Sequence, residues 1–188
     1  MTAHSSFLMR IVQFALFQAA WFACVLSAAH GRAELGVLAV SIQVLITWWL
    51  SPARSMELKV TLLAILVGLV WDTAMLQAGW VRYASPGPLP HVAPVWILAL
   101  WALFATLLCG PLAWLHGRPW LAAALGAVGG PMSYLAAVRL GAGSFGEPVT
   151  AMVVLALGWA VMTPVLTSAA SRLGQPLADQ RKERFTLA

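Results

Sequence analysis

Asp72 is the residue on which chemistry in this sequence would turn. It is the one acid in the run LKVTLLAILVGLVWDTAMLQAG, residues 58–79, which is long enough and apolar enough to cross a bilayer as a helix. A carboxyl group inside hydrocarbon is costly, so it faces the interior of a bundle and has a partner or a task. Three tasks suit it: orienting a ligand, pairing with Tyr134 or Arg139, or acid–base chemistry with Tyr134. Counting inward from the outer end of each apolar run at 1.5 Å per residue puts Asp72 about 10 Å deep. Tyr134 and Ser133 fall at a similar depth, as do Gln43, Trp101 and Trp21, while Trp71 adjoins Asp72 and Arg139 lies near the outer end of its run. These residues would make a pocket open to the outside, with aromatic walls and a few polar groups at its base, the usual make-up of a small-molecule site. The same contacts read equally as polar glue that fixes helix register.

Other chemistries find little support. No P-loop, nucleophile elbow or zinc-helix motif is present. Residues 141–146 match G-x-G-x-x-G, but no strand is expected before them, so a dinucleotide site is rejected. His4, His30, His91 and His116 all fall in tails or turns, where no pair could clamp a haem. Cys24 and Cys109 are expected at depths too different for a disulfide and lack metal-ligand spacing, so both read as packing residues. No cofactor and no metal are expected. An enzyme would need several convergent titratable groups, and Glu34, Glu57 and Glu147 sit at the ends of apolar runs, where water reaches them.

The elements that must position Asp72 follow from composition. Of 188 residues, 61% are hydrophobic and 9% charged, against roughly 25% charged in a soluble domain. Mean hydropathy is +0.85, so lipid takes the place of water around most of the surface. The expected fold is all-α: one polytopic membrane domain, 1–188, a compact bundle of six transmembrane helices at residues 7–29, 35–50, 58–79, 95–115, 120–140 and 149–170. Proline and glycine end the runs at Ser51-Pro52, Gly87-Pro88 and Gly117-Arg118-Pro119. Residues 85–90 form the longest loop, and 141–146 a flexible outer turn. Ser27-Ala28-Ala29 resembles a signal-peptide cleavage site, but a run this long, carrying Gln13, Gln18 and Trp21, is expected to stay as a transmembrane helix.

Eight Lys and Arg residues fall on one side (Arg10, Arg54, Lys59, Arg118, Arg172, Arg181, Lys182, Arg184) and three on the other (Arg32, Arg82, Arg139). The excess of positive charge inside gives an N-in, C-in orientation. Residues 175–188 then form a short basic cytoplasmic tail able to touch anionic lipid. The net charge of +5 is spread singly over the ends of the runs, so no nucleic acid is expected as partner. Trp48, Trp49, Trp114, Trp120, Trp80 and Trp96 fall at run ends as interfacial anchors, whereas Trp21, Trp71, Trp101 and Trp159 lie inside and read one by one as filler. Gly126 and Gly130 are a small-xxx-small pair, followed by Pro131, which should kink the fifth helix. Ala15, Ala19 and Ala23 make a small-residue ladder on the first helix, a packing face or a docking face for a membrane-protein partner.

Five passages carry a family resemblance: Gln18-Ala19-Ala20-Trp21-Phe22, residues 68–72, residues 94–106, Gly130-Pro131-Met132-Ser133-Tyr134 and Arg139-Leu140-Gly141-Ala142. Together the chain resembles a bacterial inner-membrane family known as domain of unknown function two-eight-seven-eight. The resemblance implies a small multi-pass protein of Gram-negative inner membranes and brings no catalytic residues. It also implies a lipid-related role, since members are often encoded near genes for cyclopropane-type fatty-acid modification. Where the family has an asparagine-histidine pair late in the fourth helix, this chain has Cys109 and Gly110, so a function resting on that pair does not transfer. A looser likeness is to the substrate-binding components of energy-coupling-factor vitamin transporters, at the level of fold. The first functional reading is therefore a non-enzymatic binder or accessory for a lipid-like or amphipathic molecule, with membrane lipid as partner. The second is a small-molecule uptake component docking through the alanine face, and the third an intramembrane enzyme using Asp72.

Overall fold

A computed structural model describes the backbone of residues 3–186 and the side-chain surroundings of residues 8–174. The chain forms six α-helices: α1 (Ala3–Ala29), α2 (Ala33–Leu50), α3 (Arg54–Gln77), α4 (Val95–Cys109), α5 (Pro119–Arg139) and α6 (Pro148–Thr186). Apolar sequence without water leaves each backbone N–H and C=O to be satisfied within its own segment, which selects helix. The basic 175–188 segment continues α6 as far as Thr186, and residues 187–188 lie outside the described residues.

Five of these helices are long and apolar enough to cross a membrane. The fourth corrects the expectation of six full-length helices. It stops at Cys109 after 15 residues, about 22 Å, short of a hydrocarbon core of roughly 30 Å. Gly110-Pro111 is the cause, because a residue before proline is pushed out of helical geometry. The chain then turns through a 3-10 segment at Ala113–Leu115, and His116 Nε2–H donates to the open Leu108 carbonyl at 2.9 Å.

This short helix is the centre of the bundle. It packs against α1, α2, α3 and α6, and it buries Trp96, Ile97, Trp101, Leu103, Ala105, Leu107 and Leu108. The tightest neighbours elsewhere are α1 with α2 and α5 with α6. A Cβ on Gly36 would stand 2.6 Å from Cys24 Cα, so a glycine is what lets α2 reach α1. Cys24 is buried and Cys109 half-buried, and neither is in a disulfide. Trp49 and Trp120 are exposed as anchors should be, but Trp96 is a core residue whose Nε1–H donates to the Ser85 carbonyl at 2.9 Å.

The α3–α4 and α5–α6 connections are more ordered than the sequence suggests. A two-stranded antiparallel ribbon pairs β1 (Val81–Tyr83) with β2 (Gly143–Phe145), matching Val81 to Phe145 and Tyr83 to Gly143. The glycine-rich 141–146 run thus supplies a strand, with Gly146 so close to the Gly79 carbonyl that a Cβ would stand 2.1 Å from it. The ribbon joins the α3–α4 and α5–α6 connections, and Ser85 Oγ–H ties it to the end of α1 through the Ala28 carbonyl. The ends of α1, α3 and α5 therefore meet in one layer.

Candidate functional site

Asp72 is completely buried, and three side chains from three other elements converge on it. Tyr83 of β1 and Tyr134 of α5 donate their hydroxyls to Oδ1, each at 2.5 Å, and Trp101 of α4 donates Nε1–H to Oδ2 at 2.6 Å. No ion pair reaches the carboxyl group among the described residues. Its lone pairs are met by neutral donors, which lets a carboxyl group stay inside an apolar bundle. Burial holds the Tyr83 phenol well above its ordinary value, and the neighbouring Asp72 and Tyr134 push the same way, so Tyr83 keeps its proton and continues to donate.

Glycines set the aromatic rings in place. Gly68 lies one turn before Asp72, and a Cβ there would stand 2.2 Å from the Trp101 ring. The ring lies over the bare backbone of α3, which aims its N–H at Asp72. Gly130 seats Trp159 in the same way at 2.1 Å, and Gly158 seats Trp71 at 2.0 Å. Trp101 and Trp159 stack with centroids 4.8 Å apart, and Phe104 and Tyr134 close on Trp159 edge-on. Trp101 and Trp159 are therefore specific members of one cluster, and Trp71 has its own seat on α6, so these rings are not interchangeable filler. Gly126 and Gly130 serve the α5–α6 contact, and α5 continues through Pro131, with Ser133 Oγ–H on the Gly130 carbonyl at 2.8 Å.

These rings form one wall of a cavity of about 540 Å³. Trp21 of α1, Trp101 and Phe104 of α4, Ser133 and Tyr134 of α5, and Trp159 of α6 all line it, together with Tyr83. Among the described residues its lining includes no Asp, Glu, Lys, Arg or His. Asp72 itself does not line it; the carboxyl group stands behind the rings that donate to it.

Of the expected site residues, Asp72, Tyr134 and Trp101 touch one another, and Ser133 and Trp21 share the cavity wall. Three are placed elsewhere. Gln43 donates Nε2–H to Thr47 Oγ1 within α2, on the far side of α1 and α4. Trp71 points at α6 over Gly158, and its buried Nε1–H has no partner. Arg139 is exposed and makes no ion pair among the described residues. Tyr83 and Trp159 were not foreseen as site residues. Thr163, one turn after Trp159 on α6, also lines the cavity, and its buried hydroxyl has no partner. The Trp159 Nε1–H approaches the Tyr134 hydroxyl without reaching hydrogen-bond geometry.

A family model described as protein of unknown function, DUF2878, matches residues 10–165. The chain belongs to that family. The matched region contains Asp72, its three donors and the whole cavity lining, and ends before the basic segment of α6. No curated protein and no solved structure matches the chain. Among the described residues, no group of His, Cys, Asp or Glu could hold a metal ion.

Proposed function

We propose that this member of the DUF2878 family is a multi-pass protein of the bacterial inner membrane that binds a lipid-like, amphipathic molecule without transforming it. The observation that carries this reading is the cavity: about 540 Å³, walled by aromatic rings, free of charged side chains, inside a bundle of apolar helices. An uncharged cavity suits an uncharged part of a ligand, since an ion there would have no counter-charge. Asp72 acts as a positioning residue. It fixes Tyr83, Tyr134 and Trp101 as a rigid wall, and its burial behind them leaves no open carboxyl group for acid–base chemistry. In this reading the ribbon faces the outer side, supported by the excess of basic residues at the other end of the bundle.

Native mass spectrometry of the protein, gently extracted from its host membrane, tests this reading. A discrete lipid-like species should stay bound, and its retention should fall in Trp101→Ala and Tyr134→Phe. A protein that carries nothing but exchangeable annular lipid contradicts it.

The second reading is an uptake component that docks on a membrane partner. Ala15 and Ala19 of α1 are exposed and Ala23 half-exposed, as a small-residue docking face requires. Ala19→Leu would then abolish partner capture while leaving the bound species in place.

A further inference from the structure

The cavity is elongated and open along its side. On α5 its lining runs from Leu125 to Val138, about 20 Å of helix. An extended acyl chain has a matching length, and the lining is aromatic or aliphatic over most of it. The two helices that flank it, α1 and α5, make no extensive contact with each other among the described residues. Along this seam the lining residues Phe14 and Phe22 on α1, and Leu125 and Met132 on α5, are 42–56% exposed. An exposed side between apolar helices faces hydrocarbon, not water.

Gly129 stands in the middle of the seam. It lines the cavity, it is exposed, and a Cβ there would meet nothing within 4 Å. It differs in this from Gly126 and Gly130 on either side, whose absent side chains make room for α6. The gap at Gly129 is therefore space that none of the described residues fills.

We infer that the α1–α5 seam admits one acyl chain of a membrane phospholipid sideways from the bilayer, past Gly129, to lie against Trp101 and Phe104. Resting on the proposed function, this names the occupant and its route. Charge fixes which way the lipid points. The lining carries no charge, and at the ribbon end Arg82 follows the lining residue Val81 and Arg139 follows Val138. Both arginines are exposed and in no ion pair among the described residues; of the acids at that end, Glu34 is paired with Arg32, and Glu147 is the other. A phosphate headgroup in the ribbon layer meets positive charge while its chain stays in the uncharged slot.

The test uses the full-length protein in vesicles of phosphatidylethanolamine and phosphatidylglycerol containing a phosphatidylglycerol with a mid-chain diazirine, with labelled peptides mapped after illumination. Label is expected on buried α4 residues from Trp101 to Leu107 as well as on the lipid-facing Leu62 and Leu66 of α3. Gly129→Phe fills the seam and should cut the α4 label at least tenfold, leave the Leu62 and Leu66 label unchanged and keep the melting temperature. Val128→Phe, at a neighbouring exposed position outside the cavity, should change neither. Persistent α4 label in a folded Gly129→Phe overturns the sideways route and leaves the binding function standing. Absent α4 label in wild type, beside a species retained in native mass spectrometry, overturns the acyl chain as occupant. Absence of both overturns the proposed function as well.

Discussion

A carboxyl group with three neutral donors and, among the described residues, no cation is held in place by hydrogen-bond geometry. Asp72→Asn keeps the shape but turns one acceptor oxygen into an amide donor, so at least one of Tyr83, Tyr134 or Trp101 is left without an acceptor. The expected loss is about 1–3 kcal/mol, read as a fall in unfolding midpoint in detergent; an Asn variant as stable as wild type would show that the cluster holds nothing. Thr163 offers the opposite case, because its hydroxyl is buried without a partner. Thr163→Val should leave the ligand-free protein at least as stable as wild type, by the same melting measurement, and a loss above about 1 kcal/mol would reveal a hydrogen bond to that hydroxyl. Asp72, Tyr134 and Trp101 were legible in the sequence because polar or hydrogen-bonding groups stand out in apolar runs of countable depth. Gln43, Trp71 and Arg139 were misplaced because depth says nothing about which way a side chain faces around its helix. Tyr83 sits in a strand of three residues, too short to leave a periodic signal.

Pairs of glycine and tryptophan organise the elements. Gly68 receives Trp101, Gly130 receives Trp159 and Gly158 receives Trp71, each across a helix contact. Gly68→Leu and Gly130→Leu must drive these rings off, and each is expected to cost more than about 3 kcal/mol, seen as lost expression or a collapsed melting transition. Gly129→Leu, one residue from Gly130 but facing open space, should be neutral or mildly stabilising, since leucine favours helix over glycine by up to ~1 kcal/mol. A large loss at Gly129 would show that α5 is rotated from the arrangement described. Five helices were legible from apolar length, and their ends agree with punctuation by proline and glycine. The shortened α4 was not, because the apolar run continues past Gly110-Pro111 and hydropathy does not register a backbone break. The tryptophan seats were invisible for a related reason: a small residue and a large one match only across helices, and the sequence does not say which helices touch.

At the scale of the whole molecule, α4 fills the centre, the ribbon ties three helix ends together, and α1 and α5 stand apart over a slot with an aromatic floor. An uncharged lining and an exposed apolar seam support a bilayer component as the proposed occupant, and in that reading the Asp72 cluster holds the wall in place before the ligand arrives. The slot itself could not be read from the sequence, because it depends on two helices packing less closely than their neighbours do. The most direct measurement is a crystal structure grown from a lipidic mesophase doped with the host's own phospholipid. The account expects continuous tubular density about 20 Å long between α1 and α5, in contact with Trp101 and Phe104, and a headgroup in the ribbon layer. An empty slot, or α1 packed directly onto α5 with Phe14 and Phe22 filling it, would contradict the central claim that this protein holds a lipid chain.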